Sequence, residues 1–297
     1  MEDKSLDAEF HVVLLDNGSV SPESVVQARE LASALSIRIG RQVDLASVSH
    51  SDRIPAEAIG ETPAVVWKDY LESCEESGIR CLAVLPLFFG PSYGLRKARK
   101  IVKERPVGLA PLRIEWAPCL VSKSCEILPE AMAKSAIRVL DTEIFESAGS
   151  ESGLLPSVLL VDHGSPFPEV TECRDYMARA LADRLSGRVR EVIACSMERR
   201  QGDRYDFNEP LLERALEKLP SSGDGAVVLS QLFLFAGRHA GADGDIERIC
   251  QASPWVKSGG RIVRTELLGS DPRMVDLLEA RWKTVSEQGR AASPRLQ

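Results

Sequence analysis

The stretch that decides the fold reads Ser157-Val-Leu-Leu-Val-Asp-His-Gly-Ser165, a short apolar run that ends in Asp-His-Gly-Ser. The stretch His11-Val-Val-Leu-Leu-Asp-Asn-Gly-Ser19 has the same form at an offset of 163 − 17 = 146 residues. A second pair of similar segments, residues 85–94 and 231–240, lies at the same offset and aligns Tyr93 with His239. Aligning Pro86 with Gln231 instead requires a one-residue gap. Two matched pairs indicate a duplicated domain of about 145 residues.

A polar segment rich in Ser and Gly separates the two copies. It covers residues 146–156 and has no apolar periodicity, as is typical of a linker. The sequence therefore predicts a first domain at residues 1–145, a linker at 146–156 and a second domain at 157–297.

Each copy alternates strand patterns with helix patterns. The predicted strands are short apolar runs at residues 12–15, 43–48, 81–88, 112–116, 158–161, 189–195, 226–235 and 261–267. The predicted helices lie at residues 23–39, near 65–74, near 95–102, in a last segment of the first copy, and at 169–185, 210–219, 242–251 and 274–282. Such alternation predicts an α/β fold of two similar doubly wound domains, each a parallel sheet of about four strands with helices on both faces.

Polar side chains follow three predicted strands of the second copy. His163 follows the first strand, Glu198 the second and His239 the third. Ligands of parallel sheets bind at the carboxyl ends of the strands, so these three residues should meet at one edge. Two imidazoles and a carboxylate suit Fe(II), Co(II), Ni(II) or Zn(II) and leave coordination positions open. The pattern indicates a metal or proton-transfer site.

Several basic residues accompany this edge. They are Arg174, Arg179, Arg199, Arg200, Arg204 and Arg238 in the second copy, and Arg96, Lys97, Arg99 and Lys100 in the first. Arginine binds carboxylates with two parallel hydrogen bonds, and Arg238 is the best placed because it adjoins His239. Ser165, followed by Pro166, is expected to start the next helix and to contact the ligand.

Composition limits the class of protein. The chain has 297 residues, of which 44% are hydrophobic and 27% charged, as in a globular protein with two domains. A net charge of −7 argues against a nucleic-acid partner. Apolar runs such as residues 227–236 are too short to span a membrane, and the acidic N-terminus does not look like a targeting signal, so a cytoplasmic location is expected. Seven irregularly spaced cysteines, with no CxxC, predict free thiols.

The second copy resembles the sirohydrochlorin chelatase family, the CbiX type of class II tetrapyrrole chelatase. The resemblance rests on Val161-Asp-His-Gly-Ser165, Met197-Glu198, Glu209-Pro210, and the strand that closes on Phe235-Ala-Gly-Arg-His239 before Asp245-Ile246. Leu267-Leu-Gly269 fits the last strand end. The match covers about 130 residues. Two features depart from the family pattern: a long polar segment at residues 199–209, and Gln231 in place of proline.

The resemblance implies a lyase that inserts Fe(II) or Co(II) into a sirohydrochlorin-type tetrapyrrole, for siroheme or cobalamin biosynthesis. The metal is a substrate, Ni(II) would fit the same ligands, and no organic cofactor is expected. His163 and His239 would bind the metal and handle protons, and Glu198 would be the acidic partner, with Glu209 as the alternative. Ser165 and Arg238 would contact the macrocycle.

The first copy resembles the family in skeleton but lacks the histidine pair. Asn17 replaces the first histidine, Tyr93 lies near the second, and Ser49 or His50 falls at the position of Glu198. This half is interpreted as a degenerate, non-catalytic copy that closes the cleft and contacts the macrocycle through Asn17, Tyr93 and Arg96. Family members with one domain are thought to pair as dimers, so a monomer with two pseudo-symmetric halves is expected.

Two other functions compete with the chelatase. The degenerate first copy favours a non-catalytic metal- or tetrapyrrole-binding protein derived from the chelatase fold. An unrelated α/β enzyme with a histidine acid or base is the third hypothesis. The intact pair, His163 and His239, favours the enzyme.

Overall fold

A computed structural model describes residues 10–106, 111–145, 155–219 and 226–292 of the chain, with side chains as far as residue 288. The strands are β1 His11–Asp16, β2 Val43–Ser47, β3 Cys81–Pro86, β4 Arg113–Trp116, β5 Ser157–Asp162, β6 Glu191–Ser196, β7 Ala226–Gln231 and β8 Arg261–Arg264. The helices are α1 Pro22–Ile39, α2 Trp67–Glu76, α3 Tyr93–Lys103, α4 Ile127–Val139, α5 Pro168–Arg184, α6 Leu212–Glu217, α7 Asp245–Ala252, α8 Pro254–Lys257 and α9 Arg273–Ala292.

The two sheets have the same parallel topology. One has the strand order β2-β1-β3-β4 and the other β6-β5-β7-β8. The central strands are apolar along their whole length because helices cover both faces: every residue of β3 and β5 is buried. The predicted fold class of two doubly wound α/β domains, with four strands in each sheet, is confirmed.

The strand register aligns the two copies residue by residue. Leu15 pairs with Pro86 in one sheet, as Val161 pairs with Gln231 in the other. Pro86 therefore corresponds to Gln231, at an offset of 231 − 86 = 145 residues. The alignment that needed a one-residue gap is therefore the correct one in the third strand, where the strict offset of 146 is wrong.

The predicted elements are present with shifted ends. Helix α1 matches its prediction because Pro22 starts it and Gly40, at φ +65°, ends it in the left-handed conformation. Strand β7 stops at Gln231 and not at residue 235, and α9 extends ten residues beyond the predicted end, 292 − 282 = 10. No helix within the described residues is long and apolar enough to cross a membrane. None of the seven cysteines, which all lie within the described residues, forms a disulfide bond.

The packing exchanges one helix between the two sequence copies. The compact units are Met1–Ser122 with Pro272–Gln297, and Lys123–Asp271. Helix α4, which ends the first copy, packs on α5 and β7 of the second. Helix α9, which ends the second copy, packs on α1, β3 and β4 of the first. The compact units therefore differ from the predicted domains 1–145 and 157–297, because sequence order does not show which sheet a terminal helix covers.

Polar contacts hold each exchanged helix in place. In the first unit Arg38 Nη1 lies 2.5 Å from Asp276 Oδ1 of α9, and Arg281 Nη2 donates to the Leu120 carbonyl at 3.0 Å. In the second unit Arg138 of α4 lies 2.9 Å from Glu266. Most of the predicted linker, residues 146–154, lies outside the described residues.

Candidate functional site

A tight turn after β5 brings His163 beside Glu198. Gly164 has φ +88°, and a Cβ there would lie 1.9 Å from the Glu198 carbonyl oxygen. The Glu198 N–H donates to the His163 carbonyl at 3.2 Å. Only glycine fits both the left-handed backbone and the close approach of the second chain segment. The residue type at position 164 therefore fixes the spacing of the two strand ends that carry His163 and Glu198.

The two histidines predicted from the sequence meet at this edge. The rings of His163 and His239 lie edge to face, with centroids 4.7 Å apart at 77°. Glu198 Oε1 lies 3.7 Å from His163 Nε2. The side chain of His163 is 47% exposed and that of Glu198 62% exposed, so both remain accessible to a ligand.

His239 lies on a loop that closes onto the start of α7. The Asp245 N–H donates to the Arg238 carbonyl and the Ile246 N–H to the His239 carbonyl, each at 3.1 Å. These bonds satisfy two of the amides that a helix leaves unpaired at its start. The loop backbone is thus tied to a rigid element, so the position of His239 does not depend on its side chain alone.

Asp245 is the residue that the sequence analysis did not assign to the site. Its Oδ2 lies 2.6 Å from His239 Nδ1 and 3.5 Å from Arg238 Nε. The Arg248 guanidinium pairs with Oδ1. Arg248 and then His239 lower the pKa of Asp245 against a smaller opposing effect of burial. The sequence signal for Asp245 was the pair Asp245-Ile246 after His239, because an acidic residue at a helix start is well placed to accept hydrogen bonds.

A buried polar network connects the ends of β5 and β6. Ser196 Oγ donates to Asp162 Oδ1 at 2.6 Å, and Arg174 Nη1 lies 2.6 Å from Ser196 Oγ. Arg174 also donates to the Asn208 carbonyl at 2.9 Å. Burial raises the pKa of Asp162, while Ser196 and Arg174 act in the opposite direction. The network holds the turn that carries His163.

Two predicted ligand contacts belong to this network and face inward. Arg174 is 2% exposed, so it is unavailable to an external carboxylate. Ser165 is 8% exposed, its N–H donates to Asn208 Oδ1, and its Oγ accepts from the Phe167 N–H. Ser165 does not cap α5, which Phe167 precedes with Pro168 at its start. The sequence did not indicate these contacts because Asn208 is distant in the chain.

The two candidate glutamates have different surroundings. Glu209 accepts from Arg199 at 2.8 Å, from Arg214 at 3.0 Å and from the Leu211 N–H at 3.0 Å. Burial would raise its pKa, but the Leu211 N–H and Arg199 outweigh this and lower it. Glu198 instead approaches His163. The geometry therefore favours Glu198 as the acidic partner and gives Glu209 a structural role.

The remaining arginines named from the sequence lie in the polar segment before α6, on α5 and on the loop that carries His239. Arg199 also lies 3.1 Å from Asp206, and Arg204 stacks over the Tyr205 ring at 4.6 Å. Arg179 is exposed on α5. Arg238 is 77% exposed beside His239. Arg238 is therefore the predicted contact that remains available to an anionic ligand at the histidine pair.

In the first copy the residue that follows the first strand is Asn17, and Gly94 at the start of α3 packs against it. Asn17 follows β1 as His163 follows β5. A Cβ on Gly94 would lie 2.3 Å from Asn17 Oδ1, so Gly94, not Tyr93, faces Asn17. A Cβ on Gly18 would lie 1.7 Å from the Ser49 carbonyl, which makes Ser49 the counterpart of Glu198.

Tyr93 and Arg96 lie at the start of α3 in the first copy. Tyr93 is 63% exposed, and Arg96 Nε donates to the Pro91 carbonyl at 3.0 Å. Both side chains are exposed on the surface of this unit.

The candidate site offers two imidazoles and one nearby carboxylate as possible metal donors. Among the residues that the structure describes, no group of three or more His, Cys, Asp or Glu side chains is arranged to hold a metal ion. The pair of imidazoles with one nearby carboxylate therefore offers fewer ligands than a closed structural site, which has four. Open positions suit a metal that must be released to another ligand.

Residues 157–285 match the family model CbiX. The second copy is therefore similar to the CbiX family over most of its length. No curated protein matches the chain by sequence. The matched span includes His163, Glu198, His239 and Asp245, so the CbiX match contains the whole candidate site.

Two solved structures resemble the whole chain, beyond the CbiX span. SirB from Bacillus subtilis with Fe3+ has a TM-score of 0.65 and 15% identity, with 96% of this chain and 98% of that chain covered. CbiX, described as the terminal enzyme for biosynthesis of siroheme in denitrifying bacteria, has a TM-score of 0.53 and 15% identity, with 95% and 99% covered. At this identity the likeness shows a shared fold that extends over both copies.

Proposed function

We propose that this protein is a sirohydrochlorin chelatase, a lyase that inserts Fe(II) or Co(II) into a sirohydrochlorin-type tetrapyrrole. The observation that carries the proposal is the contact between His163 and His239 within a domain similar to the CbiX family. The likeness of the whole chain to SirB with Fe3+ supports the same reaction class. The product would serve siroheme or cobalamin biosynthesis.

In this proposal the two imidazoles hold the incoming metal through their Nε2 atoms. His239 Nδ1 contacts Asp245, and His163 Nδ1 lies 3.1 Å from the Gly164 carbonyl, which can only accept a hydrogen bond. Both Nδ1 atoms then carry hydrogen, which leaves each Nε2 with a lone pair. Neutral imidazole is a suitable ligand for Fe(II), Co(II) and Ni(II), so the donor set fits all three metals.

Metal insertion also removes two N–H protons from the macrocycle. Glu198 lies 3.7 Å from His163 Nε2, which places a carboxylate beside a group that ligates metal when neutral and carries charge when protonated. We propose that His163 and His239 each accept one pyrrole proton as the metal leaves them and that Glu198 stabilises the imidazolium of His163.

The macrocycle carries several carboxylates, and exposed cations are the groups that would bind them. Arg238 lies next to the histidine pair and its guanidinium is exposed. In the first copy, Asn17, Tyr93 and Arg96 remain proposed contacts, because exposed aromatic and basic side chains suit a flat, acidic ring. This half would contribute binding and no metal chemistry.

The proposal is tested by anaerobic metallation of sirohydrochlorin. Purified protein is mixed with the macrocycle and Fe(II), Co(II) or Ni(II), and the change in absorbance is compared with the rate for metal alone. Acceleration with at least one metal is expected. A protein that binds the macrocycle or metal without accelerating any of the three would instead be the non-catalytic binding protein that the degenerate first copy suggests.

A further inference from the structure

We propose that Asp245 is a positioning residue that fixes the ring orientation and the tautomer of His239; this inference rests on the proposed function only in assigning His239 to the metal. The 2.6 Å contact between Asp245 Oδ2 and His239 Nδ1 is short for a hydrogen bond between nitrogen and oxygen. A carboxylate accepts and does not donate, so Nδ1 carries the hydrogen.

The carboxylate of Asp245 has two cationic partners in addition to His239. Arg248 binds Oδ1, and Arg238 Nε lies 3.5 Å from Oδ2. The carboxylate is also at the first position of α7, where the helix dipole stabilises a negative charge. Because the acceptor Asp245 is held in place, the imidazole of His239 has one favoured rotamer.

Backbone hydrogen bonds also attach the loop that carries His239 to the start of α7. The Asp245 N–H binds the Arg238 carbonyl, and the Ile246 N–H binds the His239 carbonyl. Gly244 lies so close to this loop that a Cβ on it would be 2.6 Å from the His239 carbonyl oxygen. Backbone and side chain of His239 are thus both attached to the start of α7, which makes Asp245 part of a rigid support.

The contact with Asp245 determines the tautomer of His239 as well as the orientation of its ring. With hydrogen on Nδ1, the lone pair of His239 lies on Nε2. Without Asp245 the hydrogen is free to move to Nε2, where it would block ligation. Partners of this kind commonly change metal affinity by about 10–100-fold when they are removed.

The direct test is nitrogen NMR of the full chain without macrocycle or metal. The chain has four histidines, so the ring signals are few, and His239→Gln identifies those of His239. The pH is raised until the ring signals stop changing, so that the neutral tautomers are compared. In the wild type, His239 should show hydrogen on Nδ1, and in Asp245→Ala it should show hydrogen largely on Nε2.

Two further variants make the result specific. Asp245→Ser keeps a side chain that suits a helix start but is too short to reach the ring, so it should behave as Asp245→Ala does. Glu213→Ala removes an exposed carboxylate from the first turn of α6 and should leave the His239 signals unchanged. Hydrogen on Nδ1 in the alanine and serine variants would overturn the inference.

Binding of Co(II) alone gives a second readout. Asp245→Ala should bind Co(II) about 10–100-fold more weakly than the wild type, and Glu213→Ala should bind it equally well. Unchanged Co(II) affinity in Asp245→Ala would also overturn the inference. Neither measurement uses sirohydrochlorin, so a wild type that fails to metallate the macrocycle would refute the proposed function and leave this inference to be judged on its own.

Discussion

Gly94 packs against Asn17 so closely that a Cβ on the glycine would lie 2.3 Å from the amide oxygen. Asn17 follows β1 as His163 follows β5, and the start of α3 at Gly94 leaves no room for a side chain beside it. The first copy therefore has an amide and a close-packed glycine at this strand end, while its strand order matches that of the other copy.

Replacing the histidines should remove metallation, and replacing Asn17 should not. We expect His163→Ala and His239→Ala each to lower the rate of metal insertion at least about 100-fold, since each removes a metal ligand and a proton acceptor. Asn17→Ala should keep most of the activity. Rates are measured by absorbance under anaerobic conditions. An Asn17→Ala variant as inactive as the histidine variants would show that the first copy takes part in the reaction.

The paired turns at Gly18 and Gly164 offer a matched comparison. Alanine at either position would place Cβ within 2 Å of a carbonyl oxygen, at 1.7 Å from Ser49 or 1.9 Å from Glu198, on a left-handed backbone. Each substitution should reduce stability by about 3 kcal/mol, which denaturant unfolding would measure. Only Gly164→Ala moves Glu198, so only this variant should lose activity beyond its loss of folded protein. Equal specific activities would contradict the role of the turn.

Arg174 should contribute much more to stability than its neighbour Arg179. Arg174→Met leaves Ser196 and the Asn208 carbonyl without a buried donor, and we expect a loss of about 2–4 kcal/mol. Arg179 is exposed on the same helix, so Arg179→Met should change stability by less than about 0.5 kcal/mol. Thermal or denaturant unfolding gives both values. A similar small effect for both variants would show that the network is dispensable.

Stability should fall as pH rises, through the titration of Asp16. Burial raises the pKa of Asp16 to about 6, against the hydrogen bonds from Ser47 and Gly18. The folded state thus binds a proton more tightly than the unfolded state. The stabilising effect is full below about pH 4 and is lost as pH rises through 6.

Asp16→Asn removes this titration. Its stability relative to the wild type should therefore improve between about pH 4 and 7, by about 3 kcal/mol at most. Denaturant unfolding at several pH values measures the difference. A difference that stays constant with pH would mean that Asp16 ionises normally in the folded protein.

The exchanged helices predict how the chain can be divided. A fragment of residues 123–271 contains a complete unit and should unfold cooperatively when expressed alone. A fragment of residues 157–297 lacks α4, whose buried residues Leu128, Met132, Ala136 and Val139 cover its sheet, and should be unfolded or aggregated. Circular dichroism during thermal unfolding distinguishes the two. Equal stability of both fragments would contradict the packing.

The sequence predicted the elements that depend on local pattern. Apolar runs identified β1 and β5, and the residues that follow β5, β6 and β7 were correctly expected at one edge, because a parallel sheet places all carboxyl ends together. His163 and His239 were found by this rule and are in ring contact.

The features that the sequence missed depend on contacts between distant segments. Arg174 was grouped with the basic residues of the ligand edge because its buried partners Ser196 and Asn208 are far away in the chain. Tyr93 was matched to His239 because two short motifs do not show that the loops between strand and helix differ in length. Helix α4 shows an apolar face, but nothing in its own residues identifies the sheet that this face covers.

The loop that carries His239 has no counterpart in the first copy. Beyond the third strand the copies differ by 233 − 88 = 145 residues, since the carbonyls of Phe88 and Phe233 accept equivalent bonds from Leu120 and Leu268. At the next helix they differ by 245 − 93 = 152, so the second copy holds seven more residues there. His163 therefore lies directly at the end of a strand, whereas His239 lies on the loop that is longer in the second copy. A change in the length of this one loop would therefore move or remove His239 without altering the strands of the sheet.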